Sequence, residues 1–140
     1  MAFRGIYHHT VDDKGRVALP ARYRHEFAEG SVLALQPEGC VEVYPTKTYD
    51  MVSEDYAREP ITHLSGRRMR RGFFPHSADA ELDRQGRILL PADYRLDAQL
   101  NGAVVIVGNR ECLEIWSPER WEQESRQVAA AYDEELKPVE

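Results

Sequence analysis

Residues 11–24 read VDDKGRVALPARYR, and residues 82–95 read LDRQGRILLPADYR. The two stretches are identical at eight of fourteen positions, which include the aspartate, glycine and arginine of an Asp-x-x-Gly-Arg motif. Further along, residues 40–44 (CVEVY) match residues 112–116 (CLEIW). Self-similarity of this kind is the signature of a duplicated unit. The chain is therefore predicted to contain two copies of one small module.

Both copies show the same order of predicted elements. An alternating stretch predicts a half-buried strand, Asp-x-x-Gly predicts a tight turn, and the apolar residues after it predict the second strand of a hairpin. The proline that follows, Pro20 or Pro91, is predicted in the first turn of a helix, and two more short strands complete the copy. The predicted strands are 3–11, 16–19, 32–35 and 41–44 in the first copy, and 78–82, 87–90, 104–107 and 113–116 in the second.

Strands this short would leave a single copy with exposed sheet edges and a thin core. Two copies in one chain can pair across a pseudo-twofold axis and cover those edges. The predicted fold class is therefore α+β: two tandem hairpin–helix modules interleave in a small barrel-like β structure with flanking helices.

The predicted domain organisation follows the repeat. Residues 1–57 form the first copy, residues 58–73 a basic connecting segment, residues 74–121 the second copy, and residues 122–140 an acidic helix or tail. Ser117 before Pro118 predicts the start of the last helix. Apolar residues recur along it at helical spacing: Trp121, Val128, Tyr132 and Leu136.

The net charge of −6 is unevenly distributed along the chain. Residues 1–110 hold 15 basic and 15 acidic residues, whereas residues 111–140 hold 3 basic and 9 acidic residues. A body without net charge can still bind nucleic acid if its cations cluster on one face. The acidic balance of the whole chain therefore does not exclude a DNA-binding protein.

The two Asp-x-x-Gly-Arg turns, each followed by apolar residues and Pro-Ala-x-Tyr-Arg, resemble the MraZ family of bacterial transcriptional regulators. The likeness covers most of residues 1–121. It implies an AbrB-like swapped-hairpin DNA-binding fold, a homo-oligomeric ring, and association with the nucleoid. It also implies a repressor that recognises repeated double-stranded promoter elements of the division and cell-wall gene cluster.

The turn residues are the candidate DNA-contact site. A tight turn projects cations from a rigid hairpin, and arginine suits bidentate contact with phosphate or guanine. The candidate DNA contacts are Lys14, Arg16, Arg84 and Arg87, and the turn-shaping residues are Asp12, Gly15, Asp83 and Gly86. The alternative is that each arginine pairs only with the aspartate of its own turn, in a surface ion pair worth about 0–1 kcal/mol.

A second group of cations precedes the second copy, at Arg67, Arg68, Arg70 and Arg71. These arginines could provide secondary phosphate contacts. Equally, they could belong to a connecting helix and pair with acidic groups, for example on the tail of a neighbouring subunit. The sequence leaves both interpretations open.

The remaining reactive residues form no catalytic or metal-binding pattern. The five histidines lack metal-ligand spacing, and Cys40 and Cys112, which occupy one repeated position, are predicted to be buried apolar residues. No phosphate-binding loop or nucleophile motif is present. We therefore expect no enzymatic activity, no cofactor, no metal and no small-molecule substrate. Without a long apolar run or an apolar leader, the sequence also predicts a cytoplasmic protein with no membrane partner.

One other class of function competes with the DNA-binding regulator. A structural assembly protein could use a ring and an acidic tail to recruit protein partners. The duplicated turn cations favour the regulator, whereas the negative net charge favours the assembly protein. DNA binding measured over a salt series separates the two.

Overall fold

The computed structural model describes residues 2–132, and within them each copy contributes four strands. The first copy contains β1 (Ile6–Thr10), β2 (Arg16–Ala18), β3 (Ser31–Leu35) and β4 (Val41–Pro45). The second contains β5 (Ser77–Ala80), β6 (Arg87–Leu89), β7 (Ala103–Gly108) and β8 (Leu113–Trp116). The α-helices are α1 (Thr46–Ser53), α2 (Leu64–Phe73), α3 (Ala92–Ala98) and α4 (Pro118–Ala131), and 3₁₀ helices span Ala21–Phe27, Glu54–Ala57 and Phe74–His76. None of the helices in this described part is long and apolar enough to cross a membrane.

The strands form a six-stranded antiparallel sheet in the order β1-β7-β8-β4-β3-β5 and a two-stranded sheet, β2-β6. In the repeat, β1 corresponds to β5, β3 to β7 and β4 to β8. When each strand is replaced by its counterpart in the other copy, the strand order of the large sheet is the same read from the opposite edge. A pseudo-twofold axis therefore passes between β4 and β8. The hairpins are exchanged between copies, since β1 pairs with β7 and β5 pairs with β3. This arrangement confirms the predicted α+β fold with two interleaved copies.

Single β-bridges connect the two sheets. Val11, just after β1, bridges to Val17 in β2, and Leu82, shortly after β5, bridges to Ile88 in β6. β2 and β6 thus connect the two edge strands of the large sheet, β1 and β5. The barrel-like arrangement is therefore joined at these points by isolated pairs of residues rather than by continuous ladders.

Both faces of the six-stranded sheet are covered, because neighbouring strand residues point to opposite sides. On the inner face, Leu33, Val43 and Ile115 pack with Val17 and Ile88 of the two-stranded sheet in one buried cluster. Full burial of each such side chain is worth about 1.5–3 kcal/mol. The outer face carries smaller clusters under α1 and α2 (Val32, Tyr44, Tyr49, Phe73) and under α4 (Val105, Trp116, Trp121). The two-stranded sheet and helix α2 therefore lie on opposite faces of the large sheet.

The helix that follows each hairpin differs from the predicted one in its start. Pro20 and Pro91 precede the first helical residue and have ψ of 129° and 146°, which is extended backbone. They therefore cap these helices, whereas the sequence placed them in the first turn. The start of α4 is confirmed, since the Ser117 hydroxyl accepts a hydrogen bond from the Arg120 N–H at 3.2 Å.

The basic connecting segment and the acidic tail, which lie outside the two copies, each contain a helix. Residues 58–63 lead into α2, and Gly66 in its first turn lies so close to the Pro60 carbonyl that a Cβ would meet it at 2.0 Å. The predicted tail helix is present as α4; Val128 within it and Tyr132, which directly follows its last residue, are exposed. Residues 133–140, with Leu136 of the predicted stripe, lie outside the described residues.

Candidate nucleic-acid interface

Both Asp-x-x-Gly-Arg turns have the same hydrogen-bond geometry. In the first, Asp12 Oδ1 accepts from the backbone N–H groups of Lys14 and Arg16, and Oδ2 accepts from Arg16 Nε, all at 2.9 Å. The second turn, built on Asp83, repeats all three bonds at 2.9 Å. Donation from the arginine backbone N–H lowers the pKa of each aspartate below its ordinary value. The aspartate thus shapes the turn and also fixes the orientation of its arginine.

Each turn closes on a glycine in the left-handed region. Gly15 has a φ of 83° and Gly86 a φ of 74°, a conformation that strains residues with a Cβ. The N–H of each glycine donates to the carbonyl of the turn's aspartate at 3.0 Å. Glycine is therefore required by the backbone geometry at both positions.

The two turns are tied together across the pseudo-twofold axis. The N–H of Leu19 donates to the turn glycine of the second copy at 3.0 Å, and the N–H of Leu90 donates to the turn glycine of the first at 2.9 Å. Arg87 Nη1 also lies 3.8 Å from Asp12 Oδ2. Together with the β2–β6 ladder, these contacts join both turns in one hydrogen-bonded unit.

The arginine of each turn forms an ion pair with its aspartate, but this pair uses only part of its guanidinium group. Arg16 and Arg87 keep 31% and 29% of their side-chain surface exposed, and the close ion pair uses Nε in both. A guanidinium carries further N–H donors on its two Nη nitrogens. The ion pair therefore orients the guanidinium and leaves donors for a ligand.

Two further arginines belong to this site, and the sequence analysis did not single them out. Arg24 Nε donates to the Leu19 carbonyl at 2.9 Å, and Arg95 Nε donates to the Leu90 carbonyl at 3.2 Å. Each side chain also lies against the turn glycine of the other copy. Their recurrence as the last residue of the repeated motif was a signal that could have identified them.

The exposed tips of the two turns are not chemically equivalent. Lys14 and Arg84, both predicted DNA contacts, are exposed but occupy different positions of the motif. Asp13 and Lys14 fill the two variable positions of the first turn, and Arg84 and Gln85 fill those of the second. The two tips therefore carry their cations at different positions of the motif.

The arginines of α2 form a separate surface. Arg67 Nη1 donates to the Ile61 carbonyl at 3.0 Å, and Arg70 donates to the carbonyls of Glu59 and Ala57 at 2.9 and 3.2 Å. Within the described residues, these two arginines hold the preceding loop by donating to its backbone oxygens. Arg68 and Arg71 are exposed. Because α2 covers the outer face of the large sheet, these arginines do not join the surface formed by the turns.

A buried polar cluster marks the pseudo-twofold axis on the outer face. Glu42 of β4 lies directly opposite Glu114 of β8, and Glu42 is only 8% exposed. Burial raises the pKa of Glu42, although donation from Gln36 opposes the shift. Oxygen and sulfur atoms of Glu42, Glu114 and Cys112 lie within 4.8 Å of one another. Each carboxylate already accepts hydrogen bonds, those of Glu114 from Trp116 and Asn109 at 3.0 Å, so the cluster is internally satisfied.

These features define a class of protein. Two copies of one module exchange their hairpins about a pseudo-twofold axis, and paired Asp-x-x-Gly-Arg turns lie side by side in one hydrogen-bonded unit. The fold is that of a swapped-hairpin α+β protein, and the site is a set of cations held in fixed positions.

Comparisons with known proteins place the chain in this class by sequence. The family model described as "MraZ protein, putative antitoxin-like" matches residues 2–72 and 73–137, one match for each copy. The chain is 41% identical over 131 residues to a protein of Moorella thermoacetica, across 94% of this chain and 92% of that relative. A protein of Heliobacterium modesticaldum is 39% identical over 132 residues, across the same shares of the two chains. Both relatives are named "Transcriptional regulator MraZ". The chain belongs to the MraZ family.

Proposed function

We propose that this chain is a sequence-specific DNA-binding transcriptional regulator that acts as a repressor. The name of its relatives supports a role in transcription. The observation that carries the proposal is a cationic face, defined as the six basic residues around the two turns: Lys14, Arg16, Arg24, Arg84, Arg87 and Arg95. Such a cluster attracts phosphate groups through charge, and its arginines can read guanine.

The cationic face has a shape that suits double-stranded DNA. β2 and β6 form a two-stranded antiparallel ribbon between the turns. The major groove of B-DNA, about 12 Å wide, admits such a ribbon. In this proposal Arg16 and Arg87 contact bases, Lys14 and Arg84 contact phosphates or bases at the tips, and Arg24 and Arg95 support the turns beside the DNA backbone.

The aspartates contribute to binding by pre-organising the arginines. Immobilising a flexible side chain costs about 0.5–1.5 kcal/mol on binding. Asp12 and Asp83 already hold the Nε of Arg16 and Arg87 at 2.9 Å, so less of this freedom remains to be lost. The Nη nitrogens are then available for bidentate contact with guanine.

The proposal includes a homo-oligomeric ring on repeated promoter elements of the division and cell-wall gene cluster, as the family resemblance implies. One chain offers two turns, and two or three bidentate contacts at about 1–3 kcal/mol each give modest discrimination. In a closed ring each further contact becomes intramolecular. Exposed Val128 on α4 and Tyr132 directly after it supply apolar surface for contacts between subunits.

The test is binding of the full chain to DNA from upstream of its own gene, against a scrambled duplex, over a salt series. A specific regulator should prefer its own DNA by about 10³-fold or more. The logarithm of the binding constant should fall linearly with the logarithm of salt concentration, with a slope of about −0.9 per phosphate contact. Light scattering of the protein alone and of the complex measures the molar mass, and hence whether a ring forms.

Two outcomes would overturn parts of the proposal. Equal and weak binding to both duplexes would remove the DNA-binding function and favour the assembly protein. A monomer that binds one isolated element as tightly as a series of elements would leave the regulator standing and remove the ring.

A further inference from the structure

The backbone scaffold presents the two turns as equivalent. Every hydrogen bond within the first turn has a counterpart in the second at the same distance, and the two glycine φ angles differ by 9° (83° and 74°). The reciprocal bonds from Leu19 and Leu90 relate the turns by the pseudo-twofold axis. Any difference in what the turns bind must therefore come from side chains, namely those at the tips and those of the ribbon between them, where Ala18 of β2 corresponds to the exposed Leu89 of β6.

Those tip side chains differ in charge and in hydrogen-bonding capacity. The first turn carries an acid and then a base, Asp13 and Lys14, so its tip has no net charge. The second carries Arg84 and Gln85, so its tip is a cation beside a neutral amide. All four residues are exposed. Within the described part of the chain, these four residues contribute to the turns only through the backbone N–H of Lys14 and of Gln85, so their side chains are available to a ligand.

We infer that the two turns read different half-sites, so that each chain lies on DNA with a fixed polarity set by Asp13 and Lys14 in one turn and by Arg84 and Gln85 in the other. The inference rests on the proposed DNA-binding function. A symmetric reader matches its twofold axis to that of the duplex and selects a palindrome. A symmetric scaffold with unlike tips instead selects a non-palindromic site.

The chemistry of the tips assigns a different task to each turn. Asp13 is repelled by phosphate, and the base edge that suits a carboxylate is the amino group of cytosine. Arg84 suits guanine or phosphate, and Gln85 suits adenine. The second tip therefore supplies more of the salt-dependent affinity, while the first rejects positions that place Asp13 beside the DNA backbone.

The experiment selects duplexes from a pool whose random region spans about 10 base pairs, one helical turn. Full-length wild-type chain should enrich a non-palindromic motif. Two variants make the tips alike, both in a chain that carries Leu89→Ala so that β6 matches Ala18 of β2: Asp13→Arg with Lys14→Gln, and Arg84→Asp with Gln85→Lys. Each should enrich a palindrome built from one half of the wild-type motif. Two such variants are used so that the result does not depend on the folding of either one.

The matched control exchanges the tips by combining all four substitutions. This exchanged chain, which also carries Leu89→Ala, has wild-type composition at the tips and should recover the motif of Leu89→Ala alone, because rotating it by the pseudo-twofold restores the original contacts at the turns and the ribbon. Binding to single duplexes then measures the preference. Wild type should favour its own motif over either palindrome by about 5- to 150-fold, the range expected for one bidentate contact. Thermal melting of every variant confirms that the turns still fold.

The outcomes separate this inference from the proposed function. A wild-type chain that enriches a palindrome, or like-tipped variants that keep the wild-type motif, would overturn the polarity and leave DNA binding intact. A wild-type chain that enriches no motif would remove the proposed function, and the polarity with it.

Discussion

The side chain of Arg24 lies directly against Gly86, the turn glycine of the other copy. A Cβ on Gly86 would lie 2.3 Å from Arg24 Cδ and Nε, and a Cβ on Gly15 would lie 2.7 Å from Arg95 Nε and Cζ. Each arginine is also bonded through Nε to a carbonyl of its own copy. The contact between this arginine and glycine therefore depends on the shape of the turn and also joins the two copies.

Replacing Gly86 with alanine should destabilise the fold. The left-handed φ costs a residue with a Cβ of order 1–3 kcal/mol, and the contact with Arg24 adds to that cost. Chemical denaturation should show a free energy of unfolding reduced by more than the strain alone. DNA binding should weaken as well, because the turn carries the cationic face.

Gly102 provides the matched control for this change. Its φ is 75°, yet no described residue lies within 4 Å of a Cβ placed there, so Gly102→Ala measures backbone strain without the contact. Combining Gly86→Ala with Arg24→Ala should cost less than the sum of the single changes, because the clash is removed. Equal losses at Gly86 and Gly102 would show that the contact with Arg24 carries no energy.

Replacing Arg16 with alanine should weaken specific DNA binding by about 1–3 kcal/mol if the side chain reads a base. Stability should change by less than about 1 kcal/mol, because the ion pair with Asp12 is partly exposed. Fluorescence anisotropy with specific and scrambled duplexes measures the first effect, and melting measures the second. Arg58→Ala, which removes an exposed arginine paired with Asp55, is the control for charge. Unchanged specific affinity in folded Arg16→Ala would contradict the proposed role.

The repeated motif predicted the fold because it contains most of what defines the hairpins. Asp-x-x-Gly specifies the turn through a side-chain acceptor and a left-handed φ, and alternating apolar residues specify which face is buried. The pairing of β1 with β7 could not be predicted in this way. It is a contact between distant segments, and the local pattern of either strand is compatible with several neighbours.

The candidate site was predicted in part for the same reason. Asp12 and Arg16 lie four residues apart in one turn, so their association is local. Arg24 acts on a turn of the other copy, and only the folded chain brings them together. The separation of the α2 arginines from the turns likewise depends on which face of the sheet each element covers.

The contribution of Asp12 to stability should depend on pH. Folding lowers the pKa of this carboxyl from its ordinary value of 3.8, mainly through the backbone N–H of Arg16. A lowered pKa means that the ionised form is favoured in the folded state, so the stabilisation is present above about pH 4 and is lost as the pH falls through the lowered pKa. The difference in melting temperature between wild type and Asp12→Asn should therefore be full at neutral pH and shrink below pH 4. A difference that does not vary with pH would contradict this assignment.

Replacing Glu42 with glutamine should stabilise the protein at neutral pH. Burial raises the pKa of Glu42 above its ordinary value of 4.5, so folding disfavours its ionised form and this destabilisation develops as the pH rises above that value. Glutamine keeps the shape and the oxygen that Gln36 contacts, without the charge facing Glu114. Denaturation at pH 4 and pH 7.5 should show a larger gain for Glu42→Gln at the higher pH. Glu38→Gln, which removes an exposed carboxylate next to the same strand, should show no such gain.

The arginines of α2 should matter much less for DNA binding than the turn cations do. Arg68 and Arg71 are exposed on the opposite face of the large sheet, and charges further apart than about 8 Å are largely screened at physiological salt. Changing both to glutamate alters the net charge by the same amount as changing Lys14 and Arg84 to glutamate. The turn pair should lose most of its affinity for specific and scrambled duplexes, whereas the α2 pair should keep near wild-type affinity for a single element. An equal loss for the two pairs would instead show that α2 provides phosphate contacts and that DNA reaches both faces of the sheet. If the α2 pair alters the size of the assembly without altering affinity for a single element, then these arginines bind a neighbouring subunit.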